Sequence, residues 1–198
     1  MAASASSPTA AADPRTRILD AALALMSEQG SAGASMRQLA AACGLNVATI
    51  YHYFPSKADL LRSVMEERRY DERLGTEPPA IDASAPPRER LVGLLEWLWA
   101  NALGEEAVWR LLVGEALRGE AAATQSAGEL VEVLAATLEV WLRDGFPELG
   151  DDHERLSGIA RVVRGQVFAL VVEHLALGGV TPAAARARAE ELAAIVFP

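Results

Sequence analysis

Apolar residues recur at three- and four-residue spacing along nearly the whole chain, and no run of alternating β-branched residues is long enough to argue for a strand. That regularity confines the molecule to helices packed on helices. Alanine, leucine, arginine and glutamate, all good helix formers, fill the periodic segments. With 51% apolar residues in a chain of 198, there is enough apolar surface for a real core. No internal repeat is apparent.

Several function classes are disfavoured at once. A single cysteine, Cys43, rules out an intramolecular disulfide or a thiolate zinc cluster, and a buried small residue is the expected role for it. Residues 1–12 (MAASASSPTAAA) lack the basic start and leucine-rich run of a secretory signal, so they read as a flexible tail and the cytoplasm as the location. The longest uncharged run, Gln38 to Ser56, is broken by Gly44, Asn46, His52 and Pro55, which argues against a membrane span. No glycine-rich phosphate loop, paired metal ligands or nucleophile motif occurs, and His52, His153 and His174 lie far apart. No cofactor, metal or catalytic residue is expected.

Helix punctuation divides the chain. Asp13 and Pro14 start a first helix that Gly30 closes, with Ile18, Ala22, Leu25 and Met26 on one face. Ser35 with Gln38 has capping-box spacing and opens a short second helix ending at Gly44. Asn46 caps a third helix running to about Phe54, and Ser56 with Asp59 opens a longer fourth one. After Leu74 the stretch GTEPPAIDASAPP forbids a regular helix. Five more helices follow: Arg88–Ala102, Glu105 to about Glu120, Ser126–Arg143, Asp152–Leu177 and Pro182 to about Val196. The expected organisation is a tail at 1–12, a helical head at 13–55, a connecting helix at 56–75, a linker at 76–87 and a helical body at 88–198.

The second and third helices, joined through Ala42-Cys43-Gly44-Leu45-Asn46, have helix-turn-helix spacing, which also occurs in unrelated proteins. In the third helix only Ile50 and Phe54, four apart, need face inward. Asn46, Thr49, Tyr51, His52 and Tyr53 are left pointing elsewhere, with groups that meet phosphates and base edges or that close a small core. Lys57 sits just past the Ser56 cap, where the helix dipole disfavours a cation. A phosphate at that helix start would compensate, making Lys57 a backbone clamp; a solvated lysine is the plainer alternative.

The stretch Ser35-Met36-Arg37-Gln38-Leu39-Ala40 through Gly44-Leu45, then Thr49-Ile50-Tyr51-His52-Tyr53-Phe54-Pro55-Ser56-Lys57 and Leu60-Leu61, resembles the N-terminal domain of the TetR family of bacterial transcriptional regulators. The likeness covers about Thr16 to Val64. It implies an all-α protein with a three-helix DNA-binding head, a connecting fourth helix and a variable body that dimerises and binds a small effector. By the same resemblance Asn46, Val47 and Ala48 lie nearest base edges and Arg37 reaches a base or phosphate. Thr49, Tyr51, Tyr53 and Lys57 would hold the DNA backbone, with His52 at the same surface. Val47 and Ala48 offer thymine methyl contact but no bidentate hydrogen bond.

Charge is then regional. Asp13 to Gly75 holds eight bases and eight acids, so the rest of the chain carries the whole net charge of −9. A neutral head implies modest non-specific affinity and a shallow salt dependence. Useful affinity also needs two heads about one turn of DNA, ~34–36 Å, apart. A homodimer on a palindromic operator supplies them. The wide apolar faces of the two longest helices make Leu130, Leu134, Leu138, Trp141, Val163, Val167 and Leu170 candidates for the dimer interface. Trp97, Asn101, Trp109, Arg164, Phe168 and His174 are candidates for an effector pocket. A repressor released by a small molecule is the reading; a helical interaction protein without DNA binding and a small helical enzyme are its rivals.

Overall fold

Three short-range caps, at Ser35, Asn46 and Ser56, start the three helices that follow the first. In the computed structural model, which describes residues 13–67 and 79–198, α1 (Pro14–Gly33) is followed by α2 (Met36–Cys43), α3 (Val47–Tyr53) and α4 (Lys57–Glu67). Asp13 precedes α1 without a side-chain cap bond, and Gly30 breaks the helical geometry at φ 73°, leaving one more turn to Gly33. Ser35 and Gln38 form a reciprocal capping box: Gln38 N–H donates to Ser35 Oγ at 3.2 Å and Ser35 N–H to Gln38 Oε1 at 2.9 Å. Gly44 ends α2 in the left-handed region, φ 65°, and Leu45 N–H returns to the Ala40 carbonyl at 2.9 Å.

The chain divides into two compact units, residues 1–64 and 65–198. In the first, Ile18, Leu19, Ala22 and Met26 of α1 are buried, as are Leu39, Ala40, Ile50, Leu60, Leu61 and Val64 from the next three helices and Phe54 just after α3. Each helix of the head therefore spends one stripe on this core. The boundary falls within α4.

The second unit contains α5 (Pro87–Gly104), α6 (Glu106–Leu117), α7 (Ala121–Gly145), a 3₁₀ turn (Pro147–Leu149), α8 (His153–Leu177) and α9 (Pro182–Val196). Residues 79–86 precede it without helix and close an Asx turn, in which Ser84 N–H donates to Asp82 Oδ1 at 2.9 Å. The last linker proline, Pro87, occupies the first turn of α5, where a missing N–H costs nothing. α7 begins at Ala121, five residues before the expected Ser126, because nothing in that stretch breaks a helix. The sequence expectations for residues 1–12, for 68–75 of the connecting helix and for 76–78 of the linker lie outside the described residues.

Within this unit α5 packs on α9 and α8, while α7 packs on α6 and α8. Arg90 is buried at the junction. Its guanidinium lies over the Phe146 ring, 5.2 Å from the centroid, donates to the Gly145 carbonyl at 2.7 Å and pairs with Glu148. A buried guanidinium needs those partners, and it satisfies the carbonyl end of α7 in return. No helix among the described residues is long and apolar enough to cross a membrane.

Candidate nucleic-acid interface and body cavity

Asn46 is the residue that starts α3. Its Oδ1 accepts from Thr49 N–H at 2.7 Å and from Thr49 Oγ1–H at 2.9 Å, so cap and first turn are fastened together. The amide's two N–H donors are not used in this cap. Ile50 is 0% exposed and Phe54 2%, as their four-residue spacing requires, while the other side chains of the helix are half-buried or exposed. Tyr51 is 48% exposed, His52 is exposed and lies edge-on to Tyr53, and Ala48 is exposed beside half-buried Val47 and Thr49. Arg37 is exposed on α2. Arg37, Asn46, Val47, Ala48, Thr49, Tyr51, His52 and Tyr53 thus all belong to one helix-turn-helix.

Lys57 is placed differently. Its ammonium donates to the carbonyls of Ala32 at 3.0 Å and Ala34 at 2.8 Å, where α1 runs out. The compensation that a cation needs at a helix start is therefore supplied inside the head, by carbonyls that α1 leaves unpaired. One N–H of the ammonium remains for an external group.

Two further contacts stiffen the mount of α3 and gave no sequence signal. Arg17 Nη2 donates to the Cys43 carbonyl at 2.6 Å, placing a cation at the negative end of α2, while Cys43 Sγ–H points back at the Arg17 carbonyl at 3.7 Å. Arg15 lies over the ring of Phe54, 5.4 Å from its centroid. Burial raises the Cys43 thiol above its ordinary range, against the pull of Arg17, so the sulfur is a protonated packing group.

In the body a cavity of about 470 Å³ opens between α5, α6, α7 and α8. Leu98, Leu112, Val113, Ala127, Leu130, Leu134, Leu138 and Val167 line it, with Trp109, Arg164 and Phe168. Arg164 is the one charged side chain in that lining, and it donates to the Val131 carbonyl at 3.0 Å. Of the six residues expected around an effector, Trp109, Arg164 and Phe168 meet here. Trp97, Asn101 and His174 do not: Trp97 packs edge-on to Trp141, and Asn101 donates to the Trp97 carbonyl at 2.8 Å. His174 lies against Trp99, and its Nδ1 accepts from Val180 N–H at 3.2 Å, which leaves the ring proton on Nε2, facing Glu106.

The residues expected at a dimer interface divide as well. Leu138, Val163 and Leu170 are buried in the body's own core, and Leu130, Leu134, Trp141 and Val167 are half-buried against it. The exposed stripe of α8 is made instead of Val162, Gly165, Ala169, Val172 and Ala176. Among the described residues no group of His, Cys, Asp and Glu has the arrangement of a metal site.

The model of the family described as bacterial regulatory proteins, tetR family, matches residues 18–64, the span of the first unit's core. The chain is 32% identical over 161 residues to the HTH-type transcriptional regulator BetI of Rhizobium meliloti, covering 76% of this chain and 74% of that protein. It is 36% identical over 155 residues to the HTH-type transcriptional repressor KstR of Mycolicibacterium smegmatis, covering 75% and 70%. A crystal structure from Mesorhizobium loti, described as a TetR-family transcriptional regulator, superposes with a TM-score of 0.70 at 19% identity over 96% of this chain and 97% of that one. That likeness is one of fold.

Proposed function

Because the chain belongs to the TetR family of bacterial regulatory proteins, we propose that it works as a homodimeric repressor, released from a palindromic operator by a small molecule. That it is a DNA-binding transcriptional regulator, and no enzyme, follows from the family. The finer reading rests on the chain's own surfaces.

The observation that carries it is the exposure of α3: a helix held by an Asn46 cap and two buried anchors, with Asn46, Ala48, Tyr51 and His52 exposed and Val47, Thr49 and Tyr53 half-buried. Asn46, Val47 and Ala48 at its start meet base edges, and Arg37 reaches a guanine or a phosphate. Thr49, Tyr51 and Tyr53 hold the sugar-phosphate backbone, with His52 beside them. Lys57, held at the helix start by the Ala32 and Ala34 carbonyls, gives its remaining N–H to a phosphate.

Dimerisation is supported by the exposed stripe of α8, where Val162, Gly165, Ala169, Val172 and Ala176 follow the alternating three- and four-residue spacing of a helix-pairing seam. Exposed Ala184, Ala187, Ala194 and Ile195 give α9 a matching face. Four helices, two from each subunit, would close across a twofold axis. The interface so proposed leaves Leu138, Val163 and Leu170 to the core.

Effector control is supported by the cavity in the body, whose volume falls within the ~300–1,000 Å³ range of small-molecule sites. A ligand that binds better when the head spacing no longer matches successive major grooves releases the operator by its differential affinity. Selection on random duplex DNA, followed by gel shift on the winning sequence, tests the reading. A twofold-symmetric site bound by a dimer supports it; no enrichment from a folded dimer overturns it.

A further inference from the structure

We infer that the ligand of the body cavity is an amphiphilic monoanion, a carboxylate carried on a single apolar chain or small ring system; the inference rests on the cavity being the effector site. Fourteen of the fifteen lining residues are apolar or glycine and the fifteenth is Arg164. A neutral polar ligand would leave its hydroxyls and amides without partners against such walls, at a cost that no apolar contact returns. One ionised group opposite one guanidinium is the arrangement the walls allow.

Arg164 is prepared for that role. Its hydrogen bond to the Val131 carbonyl fixes the guanidinium at the cavity wall, and it makes no ion pair with any carboxylate among the described residues. That leaves N–H donors in the planar fork that a carboxylate accepts bidentately. Apolar walls lower the local dielectric, so the same charge that attracts an anion repels an ammonium of equal length. Leu117, 84% exposed, and Phe168, 49% exposed, stand at the edge of the lining and give a hydrocarbon tail a partly open end.

Calorimetric titration of the full chain with decanoate, 1-decanol and decylamine tests this, because the tail is constant and only the head group changes. Decanoate is expected to bind at least tenfold more tightly than decanol, with decylamine weakest, and each methylene between octanoate and decanoate to add about fourfold. Arg164→Met is expected to bring decanoate to the level of decanol. Equal binding of the three, or an anion preference that survives Arg164→Met, overturns the inference. Ala127→Trp fills the cavity and is expected to remove all binding. If decanol binds, is lost in Ala127→Trp and decanoate is no tighter, the cavity is a ligand site but the anion assignment is wrong. If none of the three binds, the effector-site reading falls with it. Quenching of tryptophan emission by a brominated decanoate, lost in Trp109→Phe, reports the same site without the filled variant.

Discussion

The Lys57 ammonium donates to the Ala34 carbonyl at 2.8 Å, so the first residue of α4 holds the end of α1 across 23 residues of chain. Its second bond, to Ala32, makes it a structural tie as well as the cation proposed to meet a phosphate. Lys57→Ala is expected to cost the head about 1–2 kcal/mol of stability, the value of partly exposed hydrogen bonds to a charged group. It is also expected to weaken binding to all DNA sequences alike and lower the salt slope by about one contact. Urea unfolding and gel shifts at several salt concentrations check both. A change in sequence preference with an unaltered salt slope would sink the phosphate role.

Asn46 has two functions that chemistry can separate. Its Oδ1 caps α3, and its amide N–H groups are available to a base edge. Asn46→Ala is expected to lose about 1 kcal/mol of stability with the cap. Asn46→Asp keeps the cap, and a carboxylate is well tolerated at a helix start, so melting should change little. In the proposed complex the same carboxylate would face phosphates, and affinity is expected to fall at least tenfold. Retained DNA binding in Asn46→Asp would remove Asn46 from the interface.

Tyr51 is nearly half exposed on a helix whose buried contacts belong to Ile50 and Phe54. Tyr51→Phe removes one hydroxyl and no core contact. Stability should stay within about 0.5 kcal/mol, while operator affinity falls severalfold with the preferred sequence unchanged. Comparing the selected sequences of the two proteins reads this directly.

Gly44 sits at φ 65°, and a Cβ added there would meet nothing within 4 Å. The cost of replacing it is therefore backbone conformation alone. Gly44→Ala is expected to destabilise the head by about 1–2 kcal/mol, and Gly44→Asn by less, since asparagine tolerates the left-handed region. Thermal melts rank the pair; a neutral alanine would mean that the turn relaxes to another shape.

The head was legible because its instructions are local. Ser35, Asn46 and Ser56 each cap a helix within three residues, and Gly44 ends one, so spacing alone places α2, α3 and α4. The partner of Lys57 was not legible, since the carbonyls it holds lie 23 and 25 residues back and are exposed only by the way α1 ends. In the body, Leu130, Leu134 and Leu138 have the same periodicity whether they face a neighbour, a cavity or a second subunit. Only the separation of α6, α7 and α8 decides that they line a space. The exposed stripe of α8 escaped notice for a related reason: glycine and alanine carry little hydrophobic weight, while the larger Val163 and Leu170 on the same helix are spent on the core.

The bidentate pair between Glu173 of α8 and Arg188 of α9, at 2.6 and 2.9 Å, joins the two helices proposed to form the dimer face. The Arg188 hydrogen bonds hold the Glu173 carboxyl below the usual glutamate range. A depressed folded-state value means the pair stabilises the fold above the unfolded value, ~4.3, and loses that contribution as pH falls through the folded one. Glu173→Gln removes the titration. The gap in melting temperature between the native chain and Glu173→Gln is therefore expected to be constant above about pH 5 and to close on acidification below about pH 4. Raised salt should narrow it throughout, because the pair is partly exposed to solvent. Other depressed carboxyls, Glu106 beside Arg110 and Asp82 beside Ser84, lower both curves together and cancel in the difference. A gap that persists at pH 3 would mean that glutamine disturbs the α8–α9 packing itself, and that the charge pair contributes nothing measurable.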